Sequence, residues 1–285
     1  MIWVIANKKE VEDGNFPTYK YYKHAFPEGE IDIYLATPQD NFAFLHRGDK
    51  AIVRTRDQRI NARLREAQQA YCFESTVESY MVYWLTYDKE AIKVVLAQNG
   101  IFFPKTVALD DIVPGSKYFV KPRYGEDSIG VDPYSICSNR DEVITKCSLL
   151  WQHGIEPMIE EYIEGDEVTT AVFWGREDLH IKMFSAIMRS NEECGLHTQR
   201  TKEHFAFTPE RYKSSRLDDA VRKTFHAVGA THLLRIDSRI VNGVPYIIDV
   251  NMIPGLAPDG YLSKCMEVNG ISYHDAIRMM VGTAT

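Results

Sequence analysis

His232 to Leu256, HLLRIDSRIVNGVPYIIDVNMIPGL, holds two runs of alternating polarity on either side of Asn242-Gly243. Arg235, Asp237 and Arg239 alternate with Leu234, Ile236, Ser238 and Ile240, the period-two pattern of a strand with one polar face. In the second run Ile247, Asp249 and Asn251 share one face, and Tyr246, Ile248 and Val250 the other. The turn decides whether the polar faces coincide. A two-residue turn at Asn242-Gly243 sets Asp237 opposite Ile248 and sends the two carboxylates to opposite sides of the sheet. A three-residue loop, Val241 to Gly243 with Gly243 left-handed as a bulge, pairs Arg235 with Asp249 and Asp237 with Ile247. Asp237 and Asp249 then become diagonal neighbours on one face, with Asn251 further along. The second register is the expected one.

Two carboxylates and an amide oxygen on one side of a sheet are hard oxygen ligands. They suit Mg²⁺, which keeps water and substrate phosphate in its other positions. Arg235 beside them adds a fixed cation for carboxylate or phosphate. The other reading of the hairpin is a solvated antiparallel face with one Arg–Asp pair.

The rest of the chain narrows the class. Its 285 residues allow about two domains, and 45% hydrophobic with 26% charged residues is ordinary globular composition. A net charge of −7 gives no electrostatic case for nucleic acid or an anionic membrane. The five cysteines form no CxxC pair, which argues against a zinc site or disulfide framework and fits a reducing compartment. MIWVIANKKE is too short in its apolar run for a signal peptide, and no segment reaches membrane-spanning length. A soluble, cytoplasmic protein is expected.

Ile2 to Ala6, Ile31 to Ala36, Lys50 to Arg54 and Ala70 to Phe73 read as strands. Tyr19 to Ala25 and Asp57 to Gln69 read as helices, giving a small parallel α/β unit. The basic cluster Arg54, Arg56, Arg59 and Arg63 reads as solvated surface, with a cradle for an acidic substrate as the alternative. Ser75 to Gln98 reads as mostly helical, closed by Asn99-Gly100. Tyr118 to Lys121 is a strand before the turn-rich RYGEDSIGV, Asn139 to His153 a helix, and Met158 to Ile163 a strand. Glu167 to Trp174 and His180 to Met188 are antiparallel strands, Ser190 to Pro209 is irregular, and Leu217 to Val228 and Tyr273 to Met280 are helices. No GxxxxGK[ST], GxGxxG, HExxH or GxSxG occurs.

The Asp/Asn hairpin, the VKP strand with its glycine-containing loop and the IEEYIEGDEVT segment, in this order, resemble the ATP-grasp superfamily. Within it the likeness is to D-alanine–D-alanine ligases and related carboxylate–amine ligases, over roughly Tyr87 to Val281. The resemblance implies a mixed α/β and α+β fold in three parts. Residues 1–82 would form a small parallel N-terminal α/β domain, 83–163 a central ATP-grasp subdomain, and 164–285 a C-terminal catalytic domain on an antiparallel sheet. It also implies roles. Lys89 (after Asp88) and Lys121 reach ATP phosphates. Gly125 to Val131, with Gly125, Ser128 and Gly130, closes over the triphosphate, its small residues letting backbone N–H groups approach. Glu160 takes the adenine amine, the backbone around Glu161 and Ile163 pairs with the ring edge, and Glu167 accepts from ribose. Asp237, Asp249 and Asn251 hold Mg²⁺, two ions in the family's pattern with Mn²⁺ as a substitute, Asp249 bridging. Arg235 and the Gly255 N–H stabilise the oxyanion.

The chemistry so implied starts with a carboxylate attacking the γ-phosphate of ATP. An amine then attacks the acylphosphate, giving an amide, ADP and phosphate. Small-molecule carboxylate and amine substrates of amino-acid type and a homodimer follow from the resemblance; the general base does not. Three departures bear on substrate. Asp249 stands where those ligases commonly have Glu, and Gly260 where they have the serine for the second amino acid's carboxylate. NKKEVEDGNFPTYKYY replaces their glycine-rich segment with its glutamate. Arg200 or Lys202 would serve for a loop lysine. Rival readings are a true D-alanine–D-alanine ligase, a ligase adding amino acids to a peptide or protein, and a non-catalytic nucleotide-binding regulator.

Overall fold

Three sheets organise the computed structural model, which describes residues 1–13, 17–125, 128–174, 180–190 and 207–282. β1 (Ile2–Asn7), β2 (Ile31–Ala36), β3 (Lys50–Val53) and β4 (Glu74–Ser75) form a parallel sheet in the order β2-β1-β3-β4. Val4, Ile5, Ala51 and Ile52 in its centre are fully buried, as a parallel sheet covered on both faces requires. α2 (Gln58–Tyr71) starts at Asp57, whose carboxylate accepts from the Arg59 N–H, and it turns Ile60, Leu64 and Ala67 into the core. The expected strand over Ala70 to Phe73 does not form. Helix α2 runs on to Tyr71 and ends at left-handed Cys72, whose N–H donates to Gln68 O, and the strand begins at Glu74. Gln-Gln-Ala before Tyr71 favours continuing the helix over an alternation that never starts.

α3 (Tyr80–Tyr87) and α4 (Lys89–Gln98) lead to the second sheet, β5 (Tyr118–Pro122), β6 (Ile136–Cys137) and β7 (Pro157–Glu161), with β5 central and α5 (Arg140–Gln152) packed on it. The third sheet is antiparallel, in the order β10-β9-β8-β11-β12. Its strands are β8 (Asp166–Trp174), β9 (Ile181–Ser190), β10 (Phe207–Arg211), β11 (Leu233–Val241) and β12 (Val244–Asn251). The stretch expected to be irregular therefore ends in a strand, Phe207 pairing with Ser190; residues 191–206, with Arg200 and Lys202, lie outside the described residues. α6 (Ser215–Val228) covers one face through Leu217, Val221 and Phe225. The expected C-terminal helix is α8 (Tyr273–Gly282), and two helices not expected are α1 (Lys8–Glu12) and α7 (Tyr261–Val268). One core joins the ends of the chain: Val4, Ile31 and Ile52 pack with Phe173, Leu256, Met266 and Met280. Among the described residues no helix is long and apolar enough to cross a membrane.

The acidic hairpin has neither of the two registers that its sequence suggests. Val241 pairs with Val244, so the turn is the tight two-residue Asn242-Gly243, with both residues at positive φ (50° and 75°). Ser238 then pairs with Ile247, but Asp237 pairs with Asp249. Ile248 is the extra residue of a bulge between Asp237 and Ser238, and it resets the parity that the turn alone would have given. Asp237 and Asp249 lie directly opposite each other instead of diagonally, and Arg235 lies opposite Asn251. The expected shared face is present; the device behind it sits in the ladder and not at the turn.

Two measurements probe these supports. A Cβ on Gly165 would overlap the Ile240 carbonyl oxygen, which belongs to the fixed backbone of β11. Gly165→Ala should cost about 1–3 kcal/mol and lower the melting midpoint by several degrees; an unchanged midpoint would show that this corner yields freely. Glu78, before α3, accepts from the Thr231 and His232 N–H groups and the Thr231 hydroxyl, with His232 Nδ1 at 3.2 Å. Burial pushes its carboxyl up, but the His232 and Thr231 contacts outweigh that and hold it below its ordinary 4.5. Its ionised contribution to stability is thus complete above about pH 4.5 and is lost as pH falls through the lower folded value. The melting difference between the wild-type chain and Glu78→Gln should shrink from pH 5 toward pH 3. A pH-independent difference would remove this linkage.

Candidate active site

The cleft between the second and third sheets encloses about 870 Å³ of open space, part of it continuous with solvent. Lys89, Lys121, Gly125, Ser128, Glu160, Glu161, Ile163, Glu167, Asp237 and Asp249 all line it. Residues far apart in the sequence meet there because β5 and β7 carry Lys121 and Glu160 from one side and the bulged hairpin carries Asp237 and Asp249 from the other. Gly130, Arg235, Asn251 and Gly255 are not on the lining.

The phosphate side is built from capped helix and turn. Asp88 caps α4 by accepting from the Glu90 and Ala91 N–H groups, and Arg123 clamps the same carboxylate with two bonds, Nε to Oδ1 at 3.0 Å and Nη2 to Oδ2 at 2.8 Å. Burial pushes the Asp88 carboxyl up, yet the guanidinium and the helix N–H groups bring it below its usual range. The Asp88-Lys89 pair therefore divides into an anchor and a reaching cation. Lys89 Nζ donates to Gly125 O, tying the helix start to the glycine turn. Ser128 sits at φ 58°, a left-handed position that bends the turn over the cleft, while residues 126–127 lie outside the described residues. Gly130 has a packing role: a Cβ there would press on Leu150 and Pro122, at 2.9 and 3.1 Å, and its φ is +76°. This position brings the turn close to α5.

Glu160 is more engaged than its sequence suggests. It is buried, with Lys93 Nζ 2.6 Å from Oε1 and Lys121 Nζ 2.8 Å from Oε2. Each carboxylate oxygen keeps a second lone pair, so acceptance of an amine remains geometrically open. Lys93 also donates to the Thr106 hydroxyl at 2.7 Å, and Lys121 to Ile248 O at 3.1 Å. The Glu161 N–H is donated to Lys105 O at 3.0 Å. Glu167 accepts from Arg239 Nη2 at 2.9 Å, and the same guanidinium reaches Tyr162 Oη and Gly165 O and lies over the Tyr162 ring. Burial works against its charge, but Glu167 more than compensates and keeps the Arg239 guanidinium firmly protonated.

At the far end, Asp237 accepts from the Thr169 hydroxyl at 2.8 Å and from Arg235 Nε at 3.0 Å, with Arg235 Nη2 3.9 Å from Asp249 Oδ2. Asn251 is fully buried; its Oδ1 accepts from the Ile253 N–H at 2.9 Å and keeps a lone pair, whereas its Nδ2 has no hydrogen-bond partner among the described residues. Two carboxylates and an amide oxygen on one sheet face, offset by one guanidinium, leave net negative charge among hard donors. That set fits a magnesium-type ion completed by phosphate and water, and not a zinc cage, since no group of three His, Cys, Asp or Glu converges among the described residues.

Several contributors carry no sequence signal of their own. Arg54, expected at the surface, is 3% exposed and donates from Nη2 to Pro254 O at 2.6 Å, while Arg59 and Arg63 of its cluster are indeed exposed. Lys93 belongs to no motif, and although Arg123 opens the RYGEDSIGV turn and Arg239 stands on the hairpin's polar face, only partners distant in sequence reveal what the three do. Glu10 in α1 is another: Thr55 Oγ1 donates to it at 3.3 Å, burial pushes its carboxyl up, and its Oε2 is buried without a hydrogen-bond partner among the described residues.

Known proteins share this pattern and this fold. A family described as "D-ala D-ala ligase C-terminus" matches residues 111–282. D-alanine–D-alanine ligase A of Bacillus cereus is 26% identical over 206 residues, 69% of this chain and 67% of that one. The enzyme of Maridesulfovibrio salexigens is 22% identical over 270 residues, 88% of this chain and 82% of its own. Among solved structures, the Bacillus anthracis D-alanine–D-alanine ligase complexed with ATP superposes with a TM-score of 0.72 at 20% identity, covering 99% of this chain and 96% of the other. VanG D-Ala:D-Ser ligase from Enterococcus faecalis gives 0.72 at 14% identity over 99% and 98%. The stretch shared with the Bacillus relatives is about two thirds of their length, whereas the fold is shared end to end. With the expected order of motifs converging on one cleft, the chain belongs to the D-alanine–D-alanine ligase C-terminal family and is an ATP-grasp carboxylate–amine ligase.

Proposed function

We propose that the chain joins two small amino-acid-type substrates through an acylphosphate, with the nucleotide in the cleft and the reacting carboxyl beside Arg235 and Gly255. The observation that carries this reading is the direct pairing of Asp237 with Asp249 at the end of a cleft walled by Lys89 and Lys121. In this reading Ile163 backbone and Glu160 meet adenine, Glu167 the ribose, and Lys89, Lys121 and the Gly125–Ser128 turn the phosphates. Asp237, Asp249 and Asn251 would hold magnesium, two ions in the family's pattern, whose charge neutralises phosphate oxygens during transfer. Arg235 then faces the tetrahedral oxyanion together with the Gly255 N–H, an arrangement in which each donor is worth on the order of 3 kcal/mol of barrier.

Substrate choice rests on two places. Glu10, half-buried and with one oxygen unpartnered among the described residues, is a carboxylate for the first substrate's ammonium; it would supply the acid that the relatives carry in their glycine-rich segment. Gly260 caps α7 without any side-chain bond, and a Cβ there would press within 3.2 Å of Ala257 O. The second substrate's carboxylate would therefore meet backbone N–H groups where the relatives present a hydroxyl, which favours an amine substrate other than D-alanine. A homodimer and a cytoplasmic site of action belong to this reading through the family likeness alone.

Phosphate release from ATP with Mg²⁺ across pairs of D- and L-amino acids tests it: one pair should stimulate release at least roughly tenfold over ATP alone, with amide product in equal amount. Stimulation by D-alanine alone would restore the relatives' substrate, and silence across the panel would remove the ligase assignment for small substrates. Asp249→Asn should abolish turnover and weaken Mn²⁺ binding in an EPR titration, while the melting midpoint without nucleotide stays close to wild type. A large loss of stability would make Asp249 a structural residue.

A further inference from the structure

The Pro254–Gly255 peptide is one planar trans unit, so its C=O and N–H point to opposite sides and turn together. Whatever fixes the carbonyl fixes the N–H. Glycine chemistry does not do it: Gly255 has no left-handed φ, and a Cβ built on it meets nothing within 4 Å. Opposed rotations about the bonds flanking this peptide would turn it over without a clash at that position.

Three side chains tie down the loop. Asn251 Oδ1 accepts from the Ile253 N–H, the Tyr273 hydroxyl donates to Leu256 O at 3.0 Å, and Arg54 Nη2 donates to Pro254 O at 2.6 Å. Of these three, only the last falls on the peptide that carries the Gly255 N–H. Arg54 comes from the end of β3, 200 residues away, and is almost fully buried, its guanidinium 5.9 Å from the Tyr22 ring centroid. A desolvated cation on a carbonyl oxygen makes a short, strong bond, and it draws charge through the amide so that the N–H becomes a better donor.

We propose that Arg54 is a positioning residue for acyl transfer: it locks and polarises the Pro254–Gly255 peptide so that the Gly255 N–H faces the developing oxyanion. This rests on the assignment of Gly255 as an oxyanion donor. It gives the N-terminal sheet a part in the chemistry apart from binding substrate. Lysine in its place keeps the charge but is a point donor on a differently shaped stem, and so restores the bond only in part.

The test uses the full chain with Arg54→Met and Arg54→Lys. With the most active pair of the amino-acid panel, Arg54→Met should lower kcat on the order of 100-fold while KM for ATP stays close to that of wild type. Millimolar guanidinium should recover part of that loss, and Arg54→Lys should fall between. Independently of activity, in ¹⁵N-glycine-labelled protein the Gly255 amide resonance, assigned by its disappearance in Gly255→Ala, should shift or broaden in Arg54→Met while that of Gly130 stays in place. A Gly255 resonance that does not move, or a kcat loss that guanidinium leaves untouched, overturns the proposal. So does melting of both variants without recovery by guanidinium, which would make Arg54 purely structural. Should no pair turn over with wild type, the ligase reading for small substrates fails, and the resonance alone still decides whether Arg54 holds the peptide.

Discussion

One inserted residue sets the polarity of the active face. With the tight Asn242-Gly243 turn and a regular ladder, Asp237 would lie opposite Ile248, and an apolar side chain would stand where the second acid is required. The bulge at Ile248 brings Asp249 into register instead, and Arg235, Asp237, Asp249 and Asn251 fall on one side of the sheet. The same bulge frees the Ile248 carbonyl from the ladder, and that oxygen accepts from Lys121 of the neighbouring sheet. The feature that gathers the proposed metal ligands also joins the hairpin to β5, the strand of Lys121. Bulges beside reacting centres commonly re-aim side chains; this one re-aims a carbonyl as well.

Charge inside the cleft is unbalanced in a direction that matches its ligand. Glu160 bridges Lys93 and Lys121, all three buried, and the second cation is balanced only by the part-exposed Glu90, 3.9 Å from Lys93 Nζ. The Thr106 hydroxyl donates to Glu90 at 2.6 Å and accepts from Lys93, which relays part of that charge outward. Lys89 adds another cation on the cleft wall. A buried cation whose counterion is distant or solvated costs stability, and a triphosphate would bring a closer one. At the other end, the two aspartates exceed the single Arg235, and a divalent ion relieves that excess in turn. The two imbalances are complementary, which is why nucleotide and metal belong together in one site.

How much of this the sequence discloses depends on the range of the interaction. Most strands, most helices and the three oxygen donors on the hairpin's polar face follow from period and residue type, which are local. The bulge is not: it answers to β8 pairing on one side of β11 and to Lys121 on the other, and both are distant in the sequence. Arg54 reads as surface because arginine after a short strand usually is, and its burial is decided by a loop near the other end of the chain. Lys93, one turn past Lys89 on α4, looks like an exposed partner of Glu90 until β7 supplies Glu160. Glu10 escapes a motif reading because it follows a strand without the glycines that mark the place in the relatives' pattern.

The reacting centre thus hangs between two unequal supports. On one side Leu256, next to Gly255, is fully buried in the core shared by Val4, Ile52, Phe173 and Met280, so the oxyanion loop inherits the rigidity of both ends of the chain. On the other side the smaller sheet of β5, β6 and β7 reaches the hairpin through a polar tie, Lys121 to Ile248 O, whereas the segment leading into it is anchored to the hairpin both by the Ile247 N–H to Phe102 O at 2.8 Å and by apolar packing, Ile101 in one cluster with Ile247 and Phe102 against Tyr246. Polar ties at a cleft reform at little cost when one body tilts on another, whereas a packed core does not slide. The division places precision at the residues proposed for acyl transfer, Arg235, the acids and the Pro254–Gly255 peptide. It leaves compliance to the part that must admit and release a nucleotide.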